Sequence, residues 1–182
     1  MSIKEPEQIA KHITEIIAQE SFKLFQDKKL RKLTNFEEID QTEQDRIFNE
    51  IVVTGISLAI LMFETLAKMA SGSVKQHYLE LQIETASRYS NWLKEMGTPQ
   101  DLADIWKELI KLRTDEYRKD YEEYKDQIGS PWQTNPWLFV VAIGGFHHIT
   151  RGKGKPSDEL FKIVIQWMNE IGERVGKIIM NQ

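Results

Sequence analysis

The stretch Phe48–Met69, FNEIVVTGISLAILMFETLAKM, is the most apolar part of the chain and decides the fold. At about 100° per residue in a helix, the polar side chains of this region fall on one narrow stripe of roughly 100°. Together with two residues that precede the quoted stretch, the stripe comprises Glu43, Arg46, Glu50, Thr54, Ser57, Glu64 and Lys68. The other directions carry large apolar side chains. The sequence therefore predicts a helix surrounded by other helices on about three sides, at the centre of an all-α domain.

The rest of the sequence predicts an up-and-down bundle of about six helices around this central helix, which we place at about residues 43–70. No strand-like alternation, internal repeat or low-complexity tract is evident. We expect one helical domain over residues 1–182. Residues 1–41 are predicted to form an N-terminal helix and a basic connector, and residues 42–182 the core bundle.

The sequence also predicts helix boundaries and places where two helices cross closely. Thr42, followed three residues later by Asp45, predicts the start of the central helix, and Ser157 predicts that of the last helix. Glycine inside a helix is unfavourable relative to alanine, so Gly55 and Gly144 predict places where helices approach closely.

The overall composition indicates a soluble globular protein. Of the 182 residues, 41% are hydrophobic and 29% charged, and the net charge is −4. The negative charge disfavours a surface that binds nucleic acid as a whole. The absence of cysteine excludes disulfides, Cys-based zinc sites and thiol nucleophiles. The N-terminal sequence contains no apolar signal-peptide region, so we expect a cytoplasmic protein.

A membrane span is the alternative interpretation of the central helix. Its uninterrupted weakly polar stretch runs only from Ile51 to Phe63, which is shorter than the ~20 residues that a bilayer requires. Glu50 and Glu64 bracket this stretch. The sequence therefore favours a buried core helix and predicts no membrane span.

A highly charged helix supplies the first candidate interaction surface. Between Arg113 and Asp126, ten of fourteen residues are charged. The large uncharged side chains of that segment are Tyr117, Tyr121 and Tyr124, and helical spacing places them on one side. Tyrosine is common in protein interfaces, although a tyrosine edge also packs inward on solvated helices. Gly172 and Gly176, four residues apart in the last helix, suggest a dimer seam or close packing within the subunit.

Two tryptophans flank a proline-containing link near the middle of the second half of the chain. Trp132 and Trp137 are candidates for a clamp over the end of the bundle or for contact with an apolar partner.

A basic loop supplies a candidate anion site. His148, Arg151, Lys153 and Lys155 lie in the segment HHITRGKGK, which leads into the N-terminus of the last helix. Basic side chains and free helix N–H groups can bind a small anion, a nucleotide or nucleic acid. The alternative is a solvent-exposed basic turn. The site would be strengthened if the basic run Lys28–Lys32 lay beside it.

Metal binding is a weaker hypothesis. His77, Glu80 and Glu84 share one helical face and are of the types that ligate metals. The Glu-x-x-His motif of di-iron bundles is absent. Glu84 also stands four residues before Arg88, which predicts a surface ion pair instead.

One segment carries a resemblance to a known family. TPQDLADIWKELIKLRTDEYRKDYEEYKDQIG, together with the helix before it, resembles the helical pairs of phasins, which coat polyhydroxyalkanoate granules. The resemblance covers under a third of the chain and rests on a Thr-Pro-x-Asp cap and an amphipathic helix. It implies a coat protein on an apolar surface, but the apolar central helix has no place in the phasin pattern.

Catalytic signatures are missing: the sequence has no GxSxG, HExxH, Rossmann or Walker motif. We therefore expect a non-enzymatic protein without a cofactor that acts through protein–protein contact, as a homodimer. The alternatives are binding of an anion or nucleic acid at the basic loop, a metal-dependent enzyme, and a coat protein.

Overall fold

The computed structural model describes residues 5–129 and 136–181. Within them the chain forms seven α-helices and two short 3-10 turns, and no strand. The 3-10 turns are Phe36–Glu38 and Lys125–Gln127. The helices are α1 (Pro6–Phe25), α2 (Lys28–Leu33), α3 (Gln41–Met69), α4 (Gly72–Glu95), α5 (Gln100–Tyr124), α6 (Pro136–Thr150) and α7 (Glu159–Met180).

The predicted central helix is α3, and the all-α bundle is confirmed. α3 contacts α1, α4, α5, α6 and α7, and every residue from Glu50 to Leu61 is buried. By length and composition α3 could span a membrane, but most of its apolar part is buried inside the bundle. Burial of this apolar surface is the main favourable contribution to folding.

The predicted basic connector is largely helical. Asp27 begins α2, because its Oδ1 accepts hydrogen bonds from the backbone N–H groups of Lys29 and Leu30 at 2.9 and 2.8 Å. Leu30 is fully buried, so one apolar residue anchors this short helix. The basic connector predicted within residues 1–41 therefore contains a short helix.

The caps of two other helices shift slightly from the predicted positions. Asp40, rather than Thr42, begins α3, with Oδ1 accepting from the Glu43 N–H at 2.8 Å. α7 begins after Asp158, one residue beyond the predicted Ser157. Aspartate caps at least as well as threonine, which accounts for the start of α3. The side chain of Asp158 does not cap α7 and instead accepts from the backbone N–H of Lys155.

The predicted close crossings are present. A Cβ atom on Gly55 would lie 2.7 Å from Ile17 Cγ2 on α1 and 3.1 Å from the Trp167 ring on α7. Gly144 lies directly against the Tyr117 ring on α5. Glycine is thus required where α3 and α6 meet their neighbours.

Candidate functional site

The polar stripe of α3 is covered by α5 of the same chain. Arg113 binds both carboxylate oxygens of Glu50, with Nη2–Oε1 at 2.7 Å and Nε–Oε2 at 3.0 Å. Three further pairs cross this interface: Thr54 with Tyr117 at 3.3 Å, Ser57 with Thr114 at 3.0 Å, and Glu64 with Arg118 at 2.8 Å. The stripe is therefore satisfied within the subunit and needs no partner chain.

The polar contacts continue from α5 to α6. Arg113 Nη1 lies 3.1 Å from Glu116 Oε2, which in turn lies 3.0 Å from His148 Nε2. Burial of Arg113 disfavours its charge, but the hydrogen bonds that it donates to Glu50 and the nearby negative charges outweigh this effect and raise the pKa of the guanidinium. The network therefore joins α3, α5 and α6 by charged hydrogen bonds.

The predicted tyrosine edge reaches solvent at one residue. Tyr117 is fully buried, and that burial raises the pKa of its hydroxyl. Tyr121 is half-buried and stacks on Trp137 with ring centroids 3.8 Å apart. Tyr124 is 46% exposed. The inward-packing alternative therefore describes Tyr117 and Tyr121, and Trp132 lies outside the described residues.

The two glycines of α7 have different surroundings. Gly172 is buried, and a Cβ atom there would lie 3.5 Å from Leu138 and 3.9 Å from Leu58. Gly176 is half-buried, with no atom within 4 Å of the position of a Cβ. Gly172 thus serves packing inside the subunit, while Gly176 lies at a more open position.

The candidate anion residues are not brought together at a single site. His148 faces Glu116, and Arg151 binds Glu43 through Nε at 3.2 Å and through Nη2. The backbone N–H of Lys155 donates to Asp158 at 2.7 Å. Lys153 is exposed.

The carboxylate of Glu43 is strongly held as an anion. Its oxygens accept from Arg46 Nη2 at 2.7 Å and from Arg46 Nε at 2.9 Å, in addition to Arg151. These hydrogen bonds, led by Arg46, lower the pKa of Glu43 from 4.5 to about 2. Arg151 therefore has a partner that is charged at neutral pH.

The two basic segments lie close to each other, an arrangement that strengthens the anion hypothesis. Lys29 of α2 forms an ion pair with Glu159 in the first turn of α7, at 2.9 Å. Acidic residues are interspersed among the basic ones, so the region is mixed in charge rather than uniformly positive. This arrangement favours a small ligand over a nucleic-acid backbone.

The metal candidates do not form a ligand set. Among the described residues, no group of three His, Asp or Glu side chains is positioned to hold a metal ion. Glu80 accepts a hydrogen bond from Gln76 at 3.0 Å, and the His77 ring lies beside Tyr78. The expected partner of Glu84 is engaged elsewhere, because both terminal nitrogens of Arg88 bind Glu95 at 2.9 Å.

An exposed apolar stripe on α5 was missed from the sequence. Its exposed members are Leu102, Ile105 and Leu112, at 49%, 61% and 59%, and Leu109 between them is half-buried. The spacing of three, four and three residues is that of a coiled-coil seam. We call these four residues the outer stripe. The signal in the sequence is the i, i+3, i+7 spacing of Leu102, Ile105 and Leu109.

A cleft lies beside the basic loop that follows α6. It has a volume of about 640 Å³ and is bounded by the link after α2, the start of α3, and the loop from α6 to α7. Glu43, Arg151 and Lys153 line it together with buried apolar residues. Two of the four candidate anion residues thus share this cleft.

No protein-family model, curated protein or solved structure matches this chain.

Proposed function

We propose that this protein acts through protein–protein contact, and that the outer stripe of α5 is the contact surface. The observation that carries the proposal is the exposure of Leu102, Ile105 and Leu112 on one face of a regular helix. Single exposed apolar residues are common, but a row with heptad spacing is typical of helices that pair with another helix.

The charges beside the outer stripe indicate the partner. Asp101, Asp104, Glu108 and Asp115 are all exposed and follow one edge of the stripe within an arc of about 60°. Asp104 is already paired with Lys94 at 3.3 Å and Asp115 with Arg118, so Asp101 and Glu108 are the members of this edge without an ion pair among the described residues. An amphipathic helix whose apolar face is bordered by Lys or Arg side chains would complement this edge.

A second copy of the chain fits the outer stripe less well. In an antiparallel pair the same flanks of the two helices face each other. Glu108 would then lie beside Glu108 of the other copy, and Asp101 beside Asp115, which places like charges together. In a parallel pair the opposing flank is Trp106 and Arg113, and Arg113 is already bound to Glu50. The outer stripe therefore favours a different, basic partner.

A binding assay with designed peptides tests the proposal. The probe is a fluorescently labelled helical peptide of about three heptads, with Leu at the seam positions and Lys at the flanking ones. The matched peptide carries Glu in place of Lys. We expect the Lys peptide to bind, the Glu peptide to bind at least about tenfold more weakly, and high salt to reduce the difference.

Two double variants test whether the outer stripe is the surface that binds the peptide. Ile105→Ser/Leu112→Ser should weaken binding of the Lys peptide by about tenfold or more, without loss of helicity because both side chains are already exposed. The control Met69→Ser/Met180→Ser removes two exposed apolar side chains from the ends of other helices. Equal effects of the two double variants, or equal binding of the two peptides, would overturn the proposal.

A further inference from the structure

We infer that the cleft between α2, α3 and the α6–α7 loop binds a small carboxylate that has an apolar body. This site is separate from the outer stripe, and its test is independent of the proposed function. The volume of about 640 Å³ lies within the usual range of small-molecule pockets.

The floor of the cleft is apolar. Ile47, Phe146, Ile149 and Leu160 line it, and all four are buried within the bundle. Leu33 and Ile39 complete the apolar lining. Because the four floor residues are almost fully covered, an aromatic or aliphatic group would contact mainly Leu33, which is 40% exposed, and the half-buried Ile39.

The rim of the cleft carries two cations, Arg151 and Lys153, and three carboxylates, Asp158, Glu159 and, beside Arg151, Glu43. Two guanidinium groups, those of Arg46 and Arg151, bind the Glu43 carboxylate. Arg46 alone supplies two hydrogen bonds to it, so Arg151 is not needed to neutralise the charge. Lys153 lies on the same rim and is exposed.

The acidic residues on the α7 side of the cleft already have partners. Glu159 binds Lys29 at 2.9 Å and also Lys162. Asp158 accepts from the backbone N–H of Lys155 at 2.7 Å. The α7 carboxylates therefore do not occupy Arg151, and an incoming carboxylate would take its guanidinium in bidentate geometry in exchange for Glu43, which Arg46 continues to bind.

Backbone strain is concentrated at this cleft. Within the described residues, Asn35 and Arg151 are the two non-glycine residues with positive φ, at 51° and 53°, and both line it. Asparagine tolerates this conformation, but arginine is uncommon there. Such outliers are enriched at binding sites.

Arg151 occupies a backbone position at which glycine is the usual residue. It directly follows the last residue of α6, and the N–H of Gly152 returns to the carbonyl of His147 at 2.8 Å. Glycine is the usual residue at the left-handed position after a helix. A guanidinium group is thus held over the cleft at a site where glycine would be unstrained.

Nuclear magnetic resonance tests the inference with a matched pair of probes, 2-naphthoate and its neutral analogue 2-naphthamide. The amide signals of Gly152 and Gly154, on the loop that borders the cleft, provide the readout. We expect 2-naphthoate to shift both signals in a saturable manner and 2-naphthamide to bind at least about tenfold more weakly.

Two variants remove the cations. Arg151→Gly suits the positive φ, so the fold should be retained, and Lys153→Gln changes an exposed side chain. The double variant should lose about tenfold or more in affinity for 2-naphthoate. Lys177→Gln is the control, because Lys177 lies near the far end of α7. Absence of shifts at both glycines, or unchanged affinity in the double variant, would overturn the inference.

Discussion

Arg113 on α5 and Glu50 on α3 form a bidentate ion pair in which Glu50 is only 5% exposed. This pair joins the apolar central helix to the most highly charged helix of the chain. A charge buried to this extent is tolerated only when it is paired and hydrogen-bonded. The contact therefore fixes how α5 lies on α3, and with it the direction in which the outer stripe faces.

Removing one member of this pair should be costly. Arg113→Met leaves the Glu50 carboxylate buried without its cation, so we expect a loss of about 3–5 kcal/mol in the free energy of unfolding. Glu50→Gln should cost less, because Arg113 keeps Glu116 at 3.1 Å. The double variant Glu50→Leu/Arg113→Met should be more stable than Arg113→Met alone. Urea unfolding followed by circular dichroism measures all three.

Arg118 and Glu64 provide the matched control. Their ion pair also joins α5 to α3, but Arg118 is more exposed than Arg113. Arg118→Met should therefore cost only about 1 kcal/mol. Equal losses for Arg113→Met and Arg118→Met would contradict the claim that burial makes the Glu50 pair critical.

Two glycine-to-alanine substitutions should change the free energy of unfolding in opposite directions. Gly55→Ala forces a methyl group to within 2.7 Å of Ile17 and 3.1 Å of Trp167, so we expect a loss of about 1–3 kcal/mol. Gly176→Ala adds a methyl group where no atom lies within 4 Å, and it should gain about 0.5–1 kcal/mol from helix propensity. Thermal unfolding of both variants and the wild type measures these two changes in stability. A destabilised Gly176→Ala variant would show that the position is more crowded than the structure indicates.

Local sequence patterns were sufficient to predict α3 and its neighbours. The narrow polar stripe required a helix covered on most sides, and Gly55 and Gly144 indicated close crossings that the structure contains. The partner of the stripe could not be predicted in the same way. Whether solvent, a second subunit or α5 covers Glu50 depends on packing between helices far apart in sequence, and no local pattern encodes it.

The candidate sites were also predictable only in part from the sequence. Helical spacing correctly predicted that Tyr117, Tyr121 and Tyr124 lie on one side of α5. It could not show that the first of them, Tyr117, is buried in the core. The basic loop was visible as a run of residues, whereas the cleft beside it is formed by Leu33, Ile47 and Leu160 from three separate segments. The positive φ of Arg151 has no sequence signal, because arginine rarely adopts it.

Self-association through the tyrosine edge remains a prediction, and the structure narrows how it should be tested. Tyr117→Ser should destabilise the fold by about 3–5 kcal/mol, since it empties a buried aromatic position. Tyr124→Ser changes an exposed side chain and should leave stability unaltered. If the edge forms a homodimer, Tyr124→Ser shifts the protein toward monomer in sedimentation velocity. A wild-type monomer at all concentrations, or a dimer unaffected by Tyr124→Ser, would count against the edge.

The stability of the protein should fall in acid, and Glu43 should account for a defined part of that loss. Its pKa is 4.5 in the unfolded reference and about 2 in the folded protein, because Arg46 and Arg151 stabilise the anion. The folded state thus releases this proton more readily, so the stabilisation is complete above about pH 4.5 and is lost as the pH falls toward 2.

Urea unfolding of the wild type and Glu43→Gln at neutral pH and at about pH 3 isolates this contribution. We expect Glu43→Gln to be less stable than the wild type at neutral pH and to approach it in acid, because glutamine cannot titrate. Glu64, whose pKa is also lowered, is present in both proteins and cancels in the comparison. The exposed Glu38 provides the control, and Glu38→Gln should follow the wild-type curve. A constant difference between wild type and Glu43→Gln across this range would show that the two arginines do not hold Glu43 as an anion.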